Sequence, residues 1–205
     1  MIYSYQISDL ERRLLNVIRS GKIHSVDYVK AKCRVSIGDL LTDPLPWIEL
    51  RAGKVKTWNP PSVGERCIVL SPSGELAVGF VIFGIICNDN PAQSVDENVD
   101  LTKFDDGAYI SYNRQTHTLN INQSASGSNL TIHVTGNALV EATGNCTVSA
   151  GSVARIEAGS SIQLVAPLVN VTGSVVSSGD VTAGGKSLMT HKHSDPQGGQ
   201  VSPPI

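Results

Sequence analysis

Aromatic residues are missing from the second half of this chain. The 205 residues include three Phe, two Trp and five Tyr, and every one lies at or before Tyr112. A compact domain as long as residues 113–205 ordinarily fills its centre with such side chains, so this stretch must solve its burial problem differently. Charge is also scarce there: between Asn113 and Thr190 only Arg114, Glu141, Arg155, Glu157, Asp180 and Lys186 are ionisable acids or strong bases. Basic charge is not in excess, with 16 Lys and Arg against 18 Asp and Glu and a net charge of -2. That argues against a dedicated nucleic-acid binder. No stretch approaches the roughly 20 apolar residues that span a bilayer, and the longest apolar run, residues 78–87, is broken by glycine. The opening MIYSYQISDLERRLLNVIRSG has neither the uninterrupted apolar core nor the cleavage site of a signal peptide. The chain is therefore expected to be made in the cytoplasm and to be soluble there.

Further absences narrow the chemistry. Neither GxxxxGK[ST] nor GxGxxG occurs. The nearest approach, residues 179–187, has a spacer one residue too long and no helical pattern after it. Cys33, Cys67, Cys87 and Cys146 form no CxxC pair and lie among apolar or β-branched neighbours, so they read as small buried hydrophobes. The sequons at Asn122, Asn129, Asn145 and Asn170 read as chance products of an Asn/Ser/Thr-rich segment.

What is present divides into two halves. Ser8 and Glu11 form an S-x-x-E capping box, Leu10, Leu14, Leu15 and Ile18 make one apolar face, and Gly21 supplies a stop. These predict a helix over about residues 9–20 that must dock on something. Residues 23–87 read as five short strands, IHSVDYV, KCRVSI, WIEL, ERCIVL and GFVIFGIIC, parted by turn signals at Asp43-Pro44, Asn59-Pro60-Pro61 and Pro72-Ser73-Gly74. That suits a small closed β-barrel, of the OB or the SH3-like type. Residues 89–103 read as a polar linker. FDDGAYISYNRQTHTLNIN then alternates around Asp106-Gly107 and Asn113-Arg114, as a hairpin or meander does.

The remainder is repetitive. TLNIN, NLTIHVTG, ALVEATG, CTVSAG, VARIEAG, SIQLVA, LVNVTG, SVVSSG and DVTAGG succeed one another, with glycines at 127, 136, 144, 151 and 159. Each unit is a short alternating strand and a small-residue turn, the signature of a β-helix or stacked β-prism. A thin solenoid of one chain buries too little aliphatic surface to offset the cost of ordering it. Several chains around one axis would cover both the apolar faces and the strand edges. An oligomer follows; its number does not.

Where the repeats end stands Thr190-His191-Lys192-His193. In extended chain His191 and His193 share a face while Lys192 points away. Two imidazoles are too few for a firm metal site. Three symmetry-related pairs would give six nitrogens, an octahedral set that suits iron(II), nickel or cobalt better than zinc. Other polar candidates are bland. Glu141 and Glu157, in similar V-E-A-T-G and I-E-A-G settings, read as solvated repeats rather than a glycosidase pair. His24, His117 and His133 are isolated. Trp47 and Trp58 read as barrel packing rather than base-stacking platforms.

The residues Leu15-Asn16, Ile18-Arg19, Gly21, Cys33-Arg34-Val35, Gly38, Thr42-Asp43, Trp47, Arg51-Ala52-Gly53, Thr57-Trp58, Pro61-Ser62-Val63-Gly64-Glu65, Gly74-Glu75-Leu76, Gly84-Ile85 and Asp89-Asn90-Pro91 carry a resemblance. In order and spacing they resemble the phage baseplate assembly protein V family, the central spike of contractile tails of the P2 type. His191-Lys192-His193, with Gly198-Gly199 after it, is a second match. The resemblance implies a mainly β homotrimer in the virion, at the tip of the tail baseplate. It has an N-terminal helical segment (1–22), an OB-fold barrel (23–88), a linker (89–103), a β-helical or β-prism shaft (104–190) and a metal-binding apex (191–205). It implies one iron ion per trimer held by His191 and His193 of three chains, an OB end facing the tail hub and tube, and mechanical piercing of the host outer membrane. It implies no enzymatic activity and no nucleic-acid partner. The competing expectation is a trimeric β-solenoid tailspike that binds or degrades surface polysaccharide.

Overall fold

The computed structural model describes residues 2–194 and 196–199. It forms two compact units, Met1–His133 and Val134–Ile205. The first opens with helix α1 (Ile2–Asn16) and continues through strands β1 (Ile18–Asp27), β2 (Lys32–Ile37), β3 (Leu40–Leu41), β4 (Leu45–Pro46), β5 (Arg66–Leu70), β6 (Phe80–Ile82), β7 (Val99–Lys103), β8 (Tyr109–Asn113) and β9 (Thr118–Asn122). The second unit contains the short strands β10 (Thr182–Ala183) and β11 (Lys186–Ser187).

The helix ends at Asn16, four residues before the expected end at residue 20. Ile18 and Arg19 are not its last turn but the start of β1, paired with Leu70 and Val69 of β5. Ser8 and Glu11 fall inside a helix that begins at Ile2, so they do not cap it. Gly21 serves the sheet instead: a Cβ there would lie 2.5 Å from Val35 Cγ1 and 2.6 Å from the Ser36 carbonyl oxygen. The apolar periodicity ran on into the strand because β1 is apolar at Ile18 as well. The helix does dock, but not by its apolar face. A Cβ at Gly74 would meet the Arg13 carbonyl oxygen at 2.1 Å, and Arg12 reaches Glu75 at 3.3 Å. Leu10 and Leu14 remain 67% and 71% exposed.

Antiparallel pairing gives the sheet order β3-β2-β1-β5-β6, with β4 also on β2. The ladders leave a gap between β4 and β6, so no closed barrel results from strand pairing. One isolated parallel bridge, Trp47 with Val81, spans that gap, supported by the Ile48 N–H donating to the Val81 carbonyl at 2.9 Å. Of the expected WIEL strand only this bridge forms, while the ladder strand β4 sits just before it at Leu45–Pro46. The core is Ile23, Val35, Ile37, Leu45, Val69 and Val81, with Cys33, Cys67 and Trp47. Cys33 and Cys67 are buried as expected, whereas Cys146 is exposed. Burial pushes the Cys33 thiol up to about 11. It pushes Cys67 up to about 12, with Cys33 and Glu65 adding to the shift.

β7, β8 and β9 form a separate three-stranded antiparallel meander. The turns at Asp106-Gly107 and Asn113-Arg114 fall where the alternation placed them. β7 begins at Val99, inside the stretch read as linker. Beyond β9, the expected β-helical or β-prism pairing does not occur within one chain: among the described residues no strand lies between Asn122 and Thr182. The described residues contain no helix long and apolar enough to cross a membrane.

Candidate functional site

The second unit is stripped of internal cover. Val140, Ile156 and Val176 are 85%, 74% and 92% exposed, and Leu164, Leu168 and Val171 are also open. From Val134 to Asp180, among the described residues, no backbone N–H donates to a backbone carbonyl. Backbone polar groups in a folded protein are almost always paired, so this segment has donors and acceptors to offer. Its alternating residues (Val169 and Val171, Ile162 and Leu164) keep the pattern of strands.

The tip, by contrast, makes backbone and side-chain hydrogen bonds of its own. β10 and β11 pair as Thr182 with Ser187 and Ala183 with Lys186. Gly184 and Gly185 turn between them with φ of 56° and 76°, the left-handed pair that a two-residue primed hairpin turn requires. Asp180 stands at the open end of this hairpin. Its Oδ1 accepts the Met189 N–H at 3.1 Å. The Ser187 hydroxyl beside it, then the Met189 amide, hold the Asp180 carboxyl below its ordinary range. Ser187 Oγ in turn accepts the Thr190 N–H at 3.0 Å.

This turn carries the two histidines. The His191 N–H donates to the Ser187 carbonyl at 3.2 Å, and His191 Nδ1 lies 2.9 Å from the same oxygen. A carbonyl only accepts, so Nδ1 bears the proton. In the neutral ring Nε2 then presents its lone pair. The His191 and His193 rings meet edge to face, their centroids 5.0 Å apart. They are not on a strand, yet the chain brings them together as the i, i+2 spacing predicts. These residues fit a borderline transition-metal ion: imidazole donors, one of them fixed in tautomer by a backbone carbonyl as metal-bound histidines usually are. One chain provides only two such donors. Among the described residues no group of three or more His, Cys, Asp or Glu side chains could hold a metal. Asp195 and residues 200–205 of the expected apex lie outside the described residues.

The remaining candidates have separate local settings. Glu141 and Glu157 are both exposed, and Glu157 pairs with Arg155. His24 sits near the Ser36 hydroxyl at 3.4 Å. Trp47 packs into the core at 9% exposure, but Trp58 does not: it is 59% exposed and rests against Trp47 with ring centroids 5.5 Å apart. Sequence reasoning missed Glu49, which organises this corner. Its carboxylate accepts from Trp47 Nε1 at 3.0 Å, Thr57 Oγ1 at 2.9 Å and the Asn59 N–H at 2.8 Å. The signal was an acid two residues after a barrel tryptophan. Asp180 and Ser187 were missed as well, although Asp180 is one of the few charges in its region.

Comparison with known proteins places these features. A family described as the type VI secretion system/phage-baseplate injector OB domain matches residues 19–85, a span that runs from the second residue of β1 through β6. The "Spike protein" of Escherichia phage P2 is 34% identical over 206 residues, covering 97% of this chain and 97% of that protein. That match covers nearly the whole chain, so the chain belongs to the phage baseplate spike family and is a component of the virion tail.

Proposed function

We propose that the chain acts as a homotrimer, the central spike of a contractile tail, and that three copies of residues 104–190 form a β-helical or β-prism shaft. The observation that carries this reading is the stripped stretch within it, residues 134–180. Alternating aliphatics stand exposed beside backbone groups without backbone partners, and two further copies of the same segment would satisfy both at once. Closed wrapping also removes the strand edges that would otherwise recruit other chains.

At the apex, His191 and His193 of three chains would provide six imidazole nitrogens for one iron ion. The ion would supply a crosslink between chains and no bond-breaking chemistry. The protein's part is to hold each ring in place. The N-terminal sheet, which matches the injector OB domain, would face the tail hub, tube and other baseplate proteins. Sheath contraction would drive the narrow end through the host outer membrane. Force, rather than catalysis, is then the function, in keeping with solvated Glu141 and Glu157.

Native mass spectrometry of untagged protein, purified without added metal, tests the assembly. The expected mass is three times the 21.7 kDa chain plus one ion of iron's mass. That ion should vanish in the His191→Ala, His193→Ala double variant. A metal-free wild-type trimer would overturn the shared-ion apex, and a monomer would overturn the spike assembly.

A further inference from the structure

The histidines do not orient themselves. His191 is positioned by Ser187 through two hydrogen bonds to one carbonyl oxygen, at 3.2 Å from its N–H and 2.9 Å from Nδ1. Ser187 is in turn fixed from two directions. It sits on β11 opposite Thr182, and its side chain is engaged by the Thr190 N–H at 3.0 Å. Asp180 closes the arrangement, accepting the Met189 N–H at 3.1 Å while the neighbouring Leu188 N–H donates to the Val181 carbonyl at 2.9 Å. The chain from β11 to the histidines is thus folded back onto the start of its own hairpin, and the Asp180 carboxylate is the one charged group among the described residues that holds it there.

We infer that Asp180 is a positioning residue for the tip: by holding Ser187 and the 188–190 turn, it fixes His191 as the Nδ1–H tautomer and so aims Nε2 as the donor for a metal ion. The metal half of this statement rests on the shared-ion reading above; the tautomer half does not. A free imidazole exchanges its proton between the two nitrogens, and each molecule in the wrong form must rearrange before it can ligate through Nε2. Partners of this kind typically change metal affinity by about 10–100-fold when removed. Ser187 is the intermediate link. Its carbonyl, which any residue provides, makes the contact, while its hydroxyl only helps to locate that carbonyl.

The test uses the full chain labelled with nitrogen-15 in histidine. Ring-nitrogen spectra are recorded after chelator treatment, and iron(II) is then titrated in, with cobalt(II) as an air-stable second probe. Wild type should show His191 with its proton on Nδ1. Asp180→Ala should shift that ring toward the Nε2–H form and weaken metal binding by about 10–100-fold. Asp180→Asn keeps an acceptor oxygen and should lose less than Asp180→Ala, and it serves as the readout should the alanine variant not fold. Ser187→Ala keeps the carbonyl and should fall between wild type and Asp180→Ala. An unchanged tautomer and unchanged metal affinity in both Asp180 variants would overturn the proposal. A wild-type chain with the Nδ1–H tautomer that takes up neither metal would instead overturn the shared-ion reading and leave the positioning role of Asp180 standing.

Discussion

Residues 18–82 and residues 134–180 are written in a similar hand: short stretches of alternating apolar residues between turns of small residues and proline or glycine. They end in opposite states. The first pairs its strands within the chain and buries Ile23, Val35, Leu45, Val69 and Val81 almost completely. The second forms no ladder of its own and leaves its aliphatics in the open. The difference lies in the side chains and the loops. The first region has Trp47 to fill its centre, a glycine at 21 where β1 and β2 approach closely, and connections that let β1 pair with both β2 and β5. The second has no aromatic residue, and its small side chains are too slight to build a core from one copy. Alternation specifies a strand; it does not specify whose strand lies next to it.

The contrast can be broken from both sides with substitutions of opposite kind. Val171→Asp adds a charge to a residue already half exposed in one chain. Judged by that chain alone it should shift stability by no more than about 0.5 kcal/mol. Under the trimeric reading it should abolish assembly, which sedimentation would register as conversion of trimer to monomer. Leu45→Ala acts in the other region. Leu45 is fully buried, so its truncation should cost about 2–5 kcal/mol in denaturant melts followed by tryptophan fluorescence, while leaving the trimer mass intact under native conditions. If Val171→Asp assembles normally, the stripped segment is not an interface.

A smaller effect is expected at the corner held by Glu49. The Asn59 N–H, then the Trp47 indole and Thr57, hold its carboxyl below the ordinary value of 4.5. The unfolded chain binds the proton more readily than the folded one there. The stabilisation is therefore complete above the ordinary value and is lost as pH falls through the lower folded one. Acid should loosen the 48–59 loop, visible as a change in tryptophan emission. Glu49→Gln should remove that step. An identical acid transition in the variant would assign it elsewhere.

Much of this architecture was legible from residues. β2 and β5 sit on KCRVSI and ERCIVL, and the β7–β9 meander turns at Asp106-Gly107 and Asn113-Arg114, because turn chemistry and period-2 alternation agree there. The end of α1 was not legible, because Leu10, Leu14, Leu15 and Ile18 keep a helical spacing across a boundary that β5 sets by pairing with Ile18. WIEL pairs only at Trp47, and its Glu49 carboxylate is taken up by Trp47, Thr57 and Asn59 of the loop. At the tip, the i, i+2 spacing foretold the meeting of His191 and His193. The hairpin that delivers them was hidden, since Asp180 and Ser187 act through hydrogen bonds that no periodicity records. Trp58 looked like core by residue type but is a surface ring against Trp47.

Hydrogen–deuterium exchange on the full-length protein tests the central claim most directly. If residues 134–180 find their backbone partners in two other copies, their amides should exchange as slowly as those of β1 and β5, although one chain provides them with no backbone acceptor. Exchange of 134–180 at the rate of an open chain, alongside a protected β1 and β5, would contradict the trimeric shaft.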